Sequence, residues 1–178
     1  MPQIDDLGWH SSAKRIPSPN FDVRAAEQAV DLIVIHAISL PPGQFGGDGV
    51  RQLLMNGLDP DEHPYFRTIH QLRVSAHFFI RRDGELIQFV SCNDRAWHAG
   101  ESLWRGRERC NDFSIGIELE GDDAVTFEEP QYVALGKLIE CLRVTFPIAD
   151  IVGHSDIAPG RKTDPGPFFD WNRVERIS

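Results

Sequence analysis

Apolar positions along the chain fall into short blocks separated by glycine, proline and charge. Leu32-Ile33-Val34-Ile35-His36 is β-branched and almost wholly apolar, the pattern of a strand buried on both faces. Pro41-Pro42-Gly43 ends it, and Phe45-Gly46-Gly47-Asp48-Gly49 reads as a loop. Val50 to Leu58 predicts a short helix closed at or just after Gly57. Two β-rich runs, Val74 to Ile80 and Glu85 to Val90, flank Arg81-Arg82-Asp83-Gly84 and predict a hairpin. Phe113 to Leu119 predicts a further strand, stopped by Gly121. Thr126-Phe127-Glu128-Glu129 has the form of a capping box, with Thr126 as N-cap and Glu129 at N3. Leu135, Leu138, Ile139, Leu142 and Phe146 then make one apolar stripe at helical spacing, ending at Pro147. Ile151-Val152 predicts a last short strand, and a short helix is expected after Asp170. Residues 1–31, with Pro17-Ser18-Pro19-Asn20, read as a turn-rich lead-in.

Strands and helices alternate without repeats or linkers. That predicts a single domain over 1–178, of α/β class (α+β in some schemes), with a mixed central β-sheet flanked by helices. The 178 residues suffice for one self-supporting core. A net charge of −9 gives no broad attraction for nucleic acid or for an anionic membrane. An anionic substrate would need local arginines. Cys92, Cys110 and Cys141 are few and widely spaced, which suits a reducing compartment better than a disulfide framework. Met1 to His10 carries Asp5 and Asp6 and has no apolar core of the signal-peptide kind, so a cytoplasmic location is expected.

Two of the seven histidines stand out by position. His36 lies within or at the end of the most apolar strand, where an unpartnered ring costs ~1–3 kcal/mol. His154 follows Ile151-Val152-Gly153 at a strand end, where open sheets place ligands. Beyond it, proline and glycine bound a charged loop stiff enough to return Asp164 towards His154. Two imidazoles and a carboxylate, with a fourth position open, form the ligand set of a catalytic zinc site. In Ile115-Gly116-Ile117-Glu118-Leu119-Glu120, alternation puts Glu118 and Glu120 on one face. That pattern fits a solvated outer face as well as a carboxylate aimed into a cleft.

Five segments stand in order along the chain: Val34 to His36 with Ile38 to Gly43, Arg73 to Phe78, Ala96 to Gly100, Cys110 to Glu118, and Gly153 to Gly166. Together they resemble one family, the zinc-dependent N-acetylmuramoyl-L-alanine amidases of the type acting on 1,6-anhydromuropeptides. The resemblance implies a peptidoglycan-recognition/amidase-like fold and a zinc ion held by His36, His154 and Asp164. It further implies Glu118 as catalytic carboxylate, Lys162 facing the oxyanion, and substrate contacts from Arg73, Trp97 and Arg109. His77 and His98 would be cleft wall or partners of the metal ligands. Asp164, where the wider superfamily often has cysteine, points to this branch. Ala37 is smaller than the polar or aromatic residue expected beside the first ligand, a departure that bears on one substrate contact and not on the metal set.

The activity so implied is hydrolysis of the amide between the lactyl group of N-acetylmuramic acid and L-alanine, in cell-wall recycling. The partner would be a small muropeptide, and the chain is expected to be a monomer. Three other readings compete: a non-catalytic peptidoglycan-binding module on the same fold, a zinc peptidase cutting between amino acids, and a cysteine hydrolase built on Cys92 or Cys110.

Overall fold

The computed structural model describes residues 3–25 and 27–175. Its strands are β1 (Lys14–Arg15), β2 (Phe21–Val23), β3 (Leu32–Ile38), β4 (Phe78–Ile80), β5 (Leu86–Gln88), β6 (Asp94–Ala96), β7 (Leu103–Trp104), β8 (Arg107–Glu108), β9 (Ser114–Glu120) and β10 (Asp150–Gly153). Its α-helices are α1 (Gly49–Leu54), α2 (Phe66–Ile69), α3 (Glu129–Thr145), α4 (His154–Ile157) and α5 (Asn172–Glu175).

Six strands form one sheet in the order β1-β5-β4-β9-β3-β10. Only the β4–β5 hairpin pairs antiparallel; the other four pairs are parallel, so the sheet is mixed. The hairpin closes through Arg81 and Glu85, whose backbone groups bond at 3.0 Å. The lead-in is less irregular than its turn residues suggest: β1 adds to the sheet edge, and β2 pairs with β6.

β3 lies between β9 and β10, and it is buried because side chains from other elements pack on both of its faces. Ile33 and Ile35 point into a core shared with Ile115, Ile117 and the α3 stripe of Leu135, Leu138, Ile139 and Leu142. Leu32 and Val34 point the other way, to Phe113, Val152 and Ile157. Burying a side chain of this size is worth ~1.5–3 kcal/mol, so α3 is held mainly by its stripe.

Two element ends differ from the sequence expectation. The capping box of α3 sits two residues later, with Glu128 as N-cap and Gln131 at N3; the Glu128 amide donates to Gln131 Oε1 at 3.0 Å. Gln131 wins over Glu129 because its neutral amide also donates to the carbonyls of Ile80 and Glu120 in the core, while Glu129 turns outward to Arg173. α1 ends at Leu54, before Gly57, whose amide folds back to the Gln52 carbonyl at 2.7 Å. No helix among the described residues is long and apolar enough to cross a membrane.

Candidate metal and catalytic site

Register brings the first three site residues together. β3 and β9 run parallel with His36 opposite Glu118. β10 runs parallel on the other side of β3 with Gly153 opposite Ile35, so His154 emerges one step on, level with His36. All three lie towards the carboxyl ends of parallel strands, on the face opposite α3. The loop after α4 then returns Asp164, held by the bond from the Ser155 amide to the Asp164 carbonyl at 2.9 Å.

Three donor atoms meet at one point. His36 Nδ1 is 2.9 Å from His154 Nδ1 and 3.2 Å from Asp164 Oδ2, and His154 Nδ1 is 3.1 Å from the same oxygen. The group could hold a metal ion. His154 Nε2 faces the Ala99 carbonyl at 3.1 Å. A carbonyl only accepts, so Nε2 carries a proton, and in the neutral tautomer Nδ1 then presents the lone pair. Burial pushes His36 down to about 4, leaving its ring neutral near pH 7. Two neutral rings and a carboxylate that aim lone pairs at one spot repel one another unless a cation lies between them. The donor set therefore fits a divalent metal with nitrogen and oxygen ligands.

Glu118 lines the same cleft, with Oε2 buried and without a hydrogen-bond partner. Burial first, and the charge of Asp164 second, push its carboxyl well above the usual range, against Lys162. The solvated-face reading of β9 fails because that face is covered, with Glu118 Oε2 shut away from solvent at the cleft. Glu120, two residues on, is also buried and accepts from the amides of Gly46 and Arg82. Asp164 moves the opposite way: burial alone would raise it, but its bonds to His154 and His36 hold it well below the usual carboxylate range.

The cleft measures about 640 Å³ and includes Lys162, Ala37 and Trp97. Tyr65, Leu72 and Val74 complete its apolar wall. Arg73 lies outside this lining, its guanidinium on the carbonyls of Gln71 and Leu72 at 3.2 Å. Arg109 faces Asp112 at 3.2 Å and borders a neighbouring groove with Glu101 and Arg161. His77 is not cleft wall: it is fully buried, accepts the Gly116 amide on Nδ1, and has Asp94's carbonyl at Nε2. Cys92 and Cys110 are buried away from the cleft, and burial raises both thiols, the reverse of nucleophile activation.

Residues that sequence reasoning passed over also shape the site. Asn111 Oδ1 accepts the amides of His98 and Ala99 at 3.1 and 2.8 Å. Arg24 donates to the carbonyls of Asn111, Asp112 and Ser114 at 2.9, 3.0 and 2.6 Å, tying down the turn that enters β9. No local pattern announces either, since a polar residue in a turn carries no periodicity.

Residues 26–167 match the family model described as N-acetylmuramoyl-L-alanine amidase. The chain belongs to this amidase family. It is 54% identical over 176 residues to the 1,6-anhydro-N-acetylmuramyl-L-alanine amidase AmpD of Salmonella typhimurium (strain SL1344), covering 98% of this chain and 94% of the relative. It is 52% identical over 170 residues to AmpD of Escherichia coli (strain K12), covering 94% and 93%. Among solved structures, the amidase superposes on a crystal structure of a Se-Met AmpD derivative with a TM-score of 0.94, 52% identity and 97% of each chain.

Buried neutral histidines should make the metal-free amidase acid-sensitive. His36, His77 and His98 all sit below the ordinary imidazole value, with burial the leading cause. From pH ~6.5 downward the unfolded chain binds protons that the folded one refuses, so stability falls as pH falls, until His36 itself titrates at about 4. Glu118 and Asp94, whose carboxyls burial raises, act with the opposite sign, while His10, also lowered by burial, adds to the three histidines. Urea midpoints of the metal-free protein should be lower at pH 5 than at pH 7; an unchanged or higher midpoint at pH 5 would contradict this assignment.

Proposed function

We propose that this amidase is a zinc enzyme that hydrolyses the amide between the lactyl group of 1,6-anhydro-N-acetylmuramic acid and L-alanine in muropeptides. It would serve cell-wall recycling in the cytoplasm, as a one-domain monomer. The observation that carries this reading is the meeting of His36, His154 and Asp164 beside the unpartnered carboxyl of Glu118. The names of the AmpD relatives support the bond. So does a structure titled as a complex of the Escherichia coli amidase AmiD with anhydro-N-acetylmuramic acid-L-Ala-D-gamma-Glu-L-Lys, which is 30% identical with a TM-score of 0.61 over 86% of this chain and 60% of that one.

His36, His154 and Asp164 would hold the zinc. When bound, it supplies Lewis acidity that polarises the scissile carbonyl and makes an attacking water acidic near neutral pH. Glu118 takes the water's proton and returns it to the amine of L-alanine as the C–N bond breaks. A carboxylate raised by burial is a stronger base than a solvated one, which suits this work. Lys162, whose charge reaches both Glu118 and His36, stabilises the negative charge developing on the carbonyl oxygen. Trp97 offers a flat apolar surface to the sugar ring, and Tyr65 and Leu72 extend that surface. Arg73, outside the cleft lining, and Arg109, on a neighbouring groove, would meet carboxylates of the stem peptide by bidentate pairing.

Incubation with an anhydromuropeptide tests the reading. Intact anhydro-N-acetylmuramic acid and a peptide with a free L-alanine amine are the expected products. Activity should vanish on chelation and return with zinc. Untouched substrate with zinc fully loaded would leave a binding module, and cleavage between amino acids would leave a peptidase.

A further inference from the structure

We propose that two consecutive residues, His98 and Ala99, set the ring tautomer of both metal-facing histidines, and that Asn111 is the positioning residue holding this pair in place. The inference rests on the zinc reading and adds a function for residues outside the ligand set.

A neutral imidazole has one N–H, and what the far nitrogen faces decides where it goes. For His154 the far nitrogen faces the Ala99 carbonyl at 3.1 Å, which demands Nε2–H. For His36 it faces His98 Nδ1 at 2.9 Å, and His98 Nε2 in turn lies 3.1 Å from Ser114 Oγ. Only one direction along that series frees His36 Nδ1: His36 Nε2–H donates to His98 Nδ1, and His98 Nε2–H donates to the serine oxygen. Neighbouring positions of one short segment thus serve the two ligands, one through a ring and one through a carbonyl.

The segment is built to stay put. Asn111 Oδ1 takes both of its amides. Arg161 Nη2 donates to the Ala99 carbonyl at 2.7 Å, fixing that oxygen from a second side. Gly116 leaves the space the His98 ring occupies, since a Cβ there would stand 2.4 Å from His98 Cγ. Asn111 is buried and does not line the cleft, so it acts through the segment and touches neither ion nor substrate.

Zinc affinity of the full chain, by competition with a chromophoric chelator, tests this. Asn111→Ala should weaken zinc binding ~10–100-fold, the usual effect of losing a partner of a metal ligand. Asn111→Asp, which keeps an oxygen acceptor, should recover most of it. His98→Phe keeps the ring's bulk but no acceptor and should weaken binding similarly, whereas His98→Asn should recover part. The visible bands of the cobalt-substituted protein should shift in the weakened pair and not in the rescued one. Asn111→Ala and His98→Phe both binding within twofold of wild type would overturn the proposal, and should one not fold, the other decides alone. Wild type that takes up no zinc would instead sink the metal reading beneath it.

Discussion

Asp164→Ala is expected to leave a folded protein that no longer retains zinc and no longer hydrolyses muropeptides. Asp164 Oδ2 is the oxygen that closes the donor triangle, at 3.1 and 3.2 Å from the two imidazole nitrogens. It is also the set's only anionic member. Without it, a doubly charged ion would rest on two neutral rings in a partly desolvated cleft. The affinity loss should exceed the ~10–100-fold typical of altering a ligand's partner. The fold should survive, because the loop is anchored by backbone bonds such as Ser155 N–H to the Asp164 carbonyl, which alanine keeps. Elemental analysis after dialysis against zinc, beside a circular dichroism spectrum, gives the result directly. One zinc per chain in the variant would mean that Asp164 is not a ligand.

Much of this site was legible in the chain because it is built on strands whose patterns are strong. The apolar run of β3 and the hairpin at Asp83-Gly84 are both recovered, and His154 does follow a strand end. What pattern could not decide was the meaning of Glu118. Alternating carboxylates look the same on a solvated face and beside a cleft, and the difference lies in what gathers over that face of β9, where Glu118 shares a cleft with His36, His154 and Asp164, a non-local fact. The capping box was ambiguous for a local reason, since Thr126/Glu129 and Glu128/Gln131 both have the right spacing. The cleft wall went unseen because α2 has four residues, too few for a helical period to show. Asn111 and Arg24 work by hydrogen bonds to backbone that lies 12 to 90 positions away, as with Asn111 to Ala99 and Arg24 to Ser114. Such contacts leave no trace in spacing. The resemblance supplied a ligand set and offered His77 and His98 as cleft wall or partners of the ligands, without saying which far nitrogen either would face.

Glu118→Gln is expected to separate chemistry from metal binding: turnover falls ~10²–10⁴-fold while zinc stays bound and KM changes little. Glutamine matches the carboxylate in shape, so the cleft keeps its form, but its amide cannot take a proton from water at neutral pH. Stability should move the other way. Glu118 is held well above the usual carboxyl range by burial and by Asp164, so above pH ~4.5 the folded chain carries a group that the unfolded chain ionises more readily. Such a group favours folding only at lower pH, and at pH 7 it costs stability. Removing the charge should therefore raise the urea midpoint of the metal-free protein at pH 7. Lower activity with a higher midpoint is the signature of a residue kept for chemistry at the expense of the fold. If the variant turned over within tenfold of wild type, Glu118 would lose its role as proton acceptor, whatever its effect on stability.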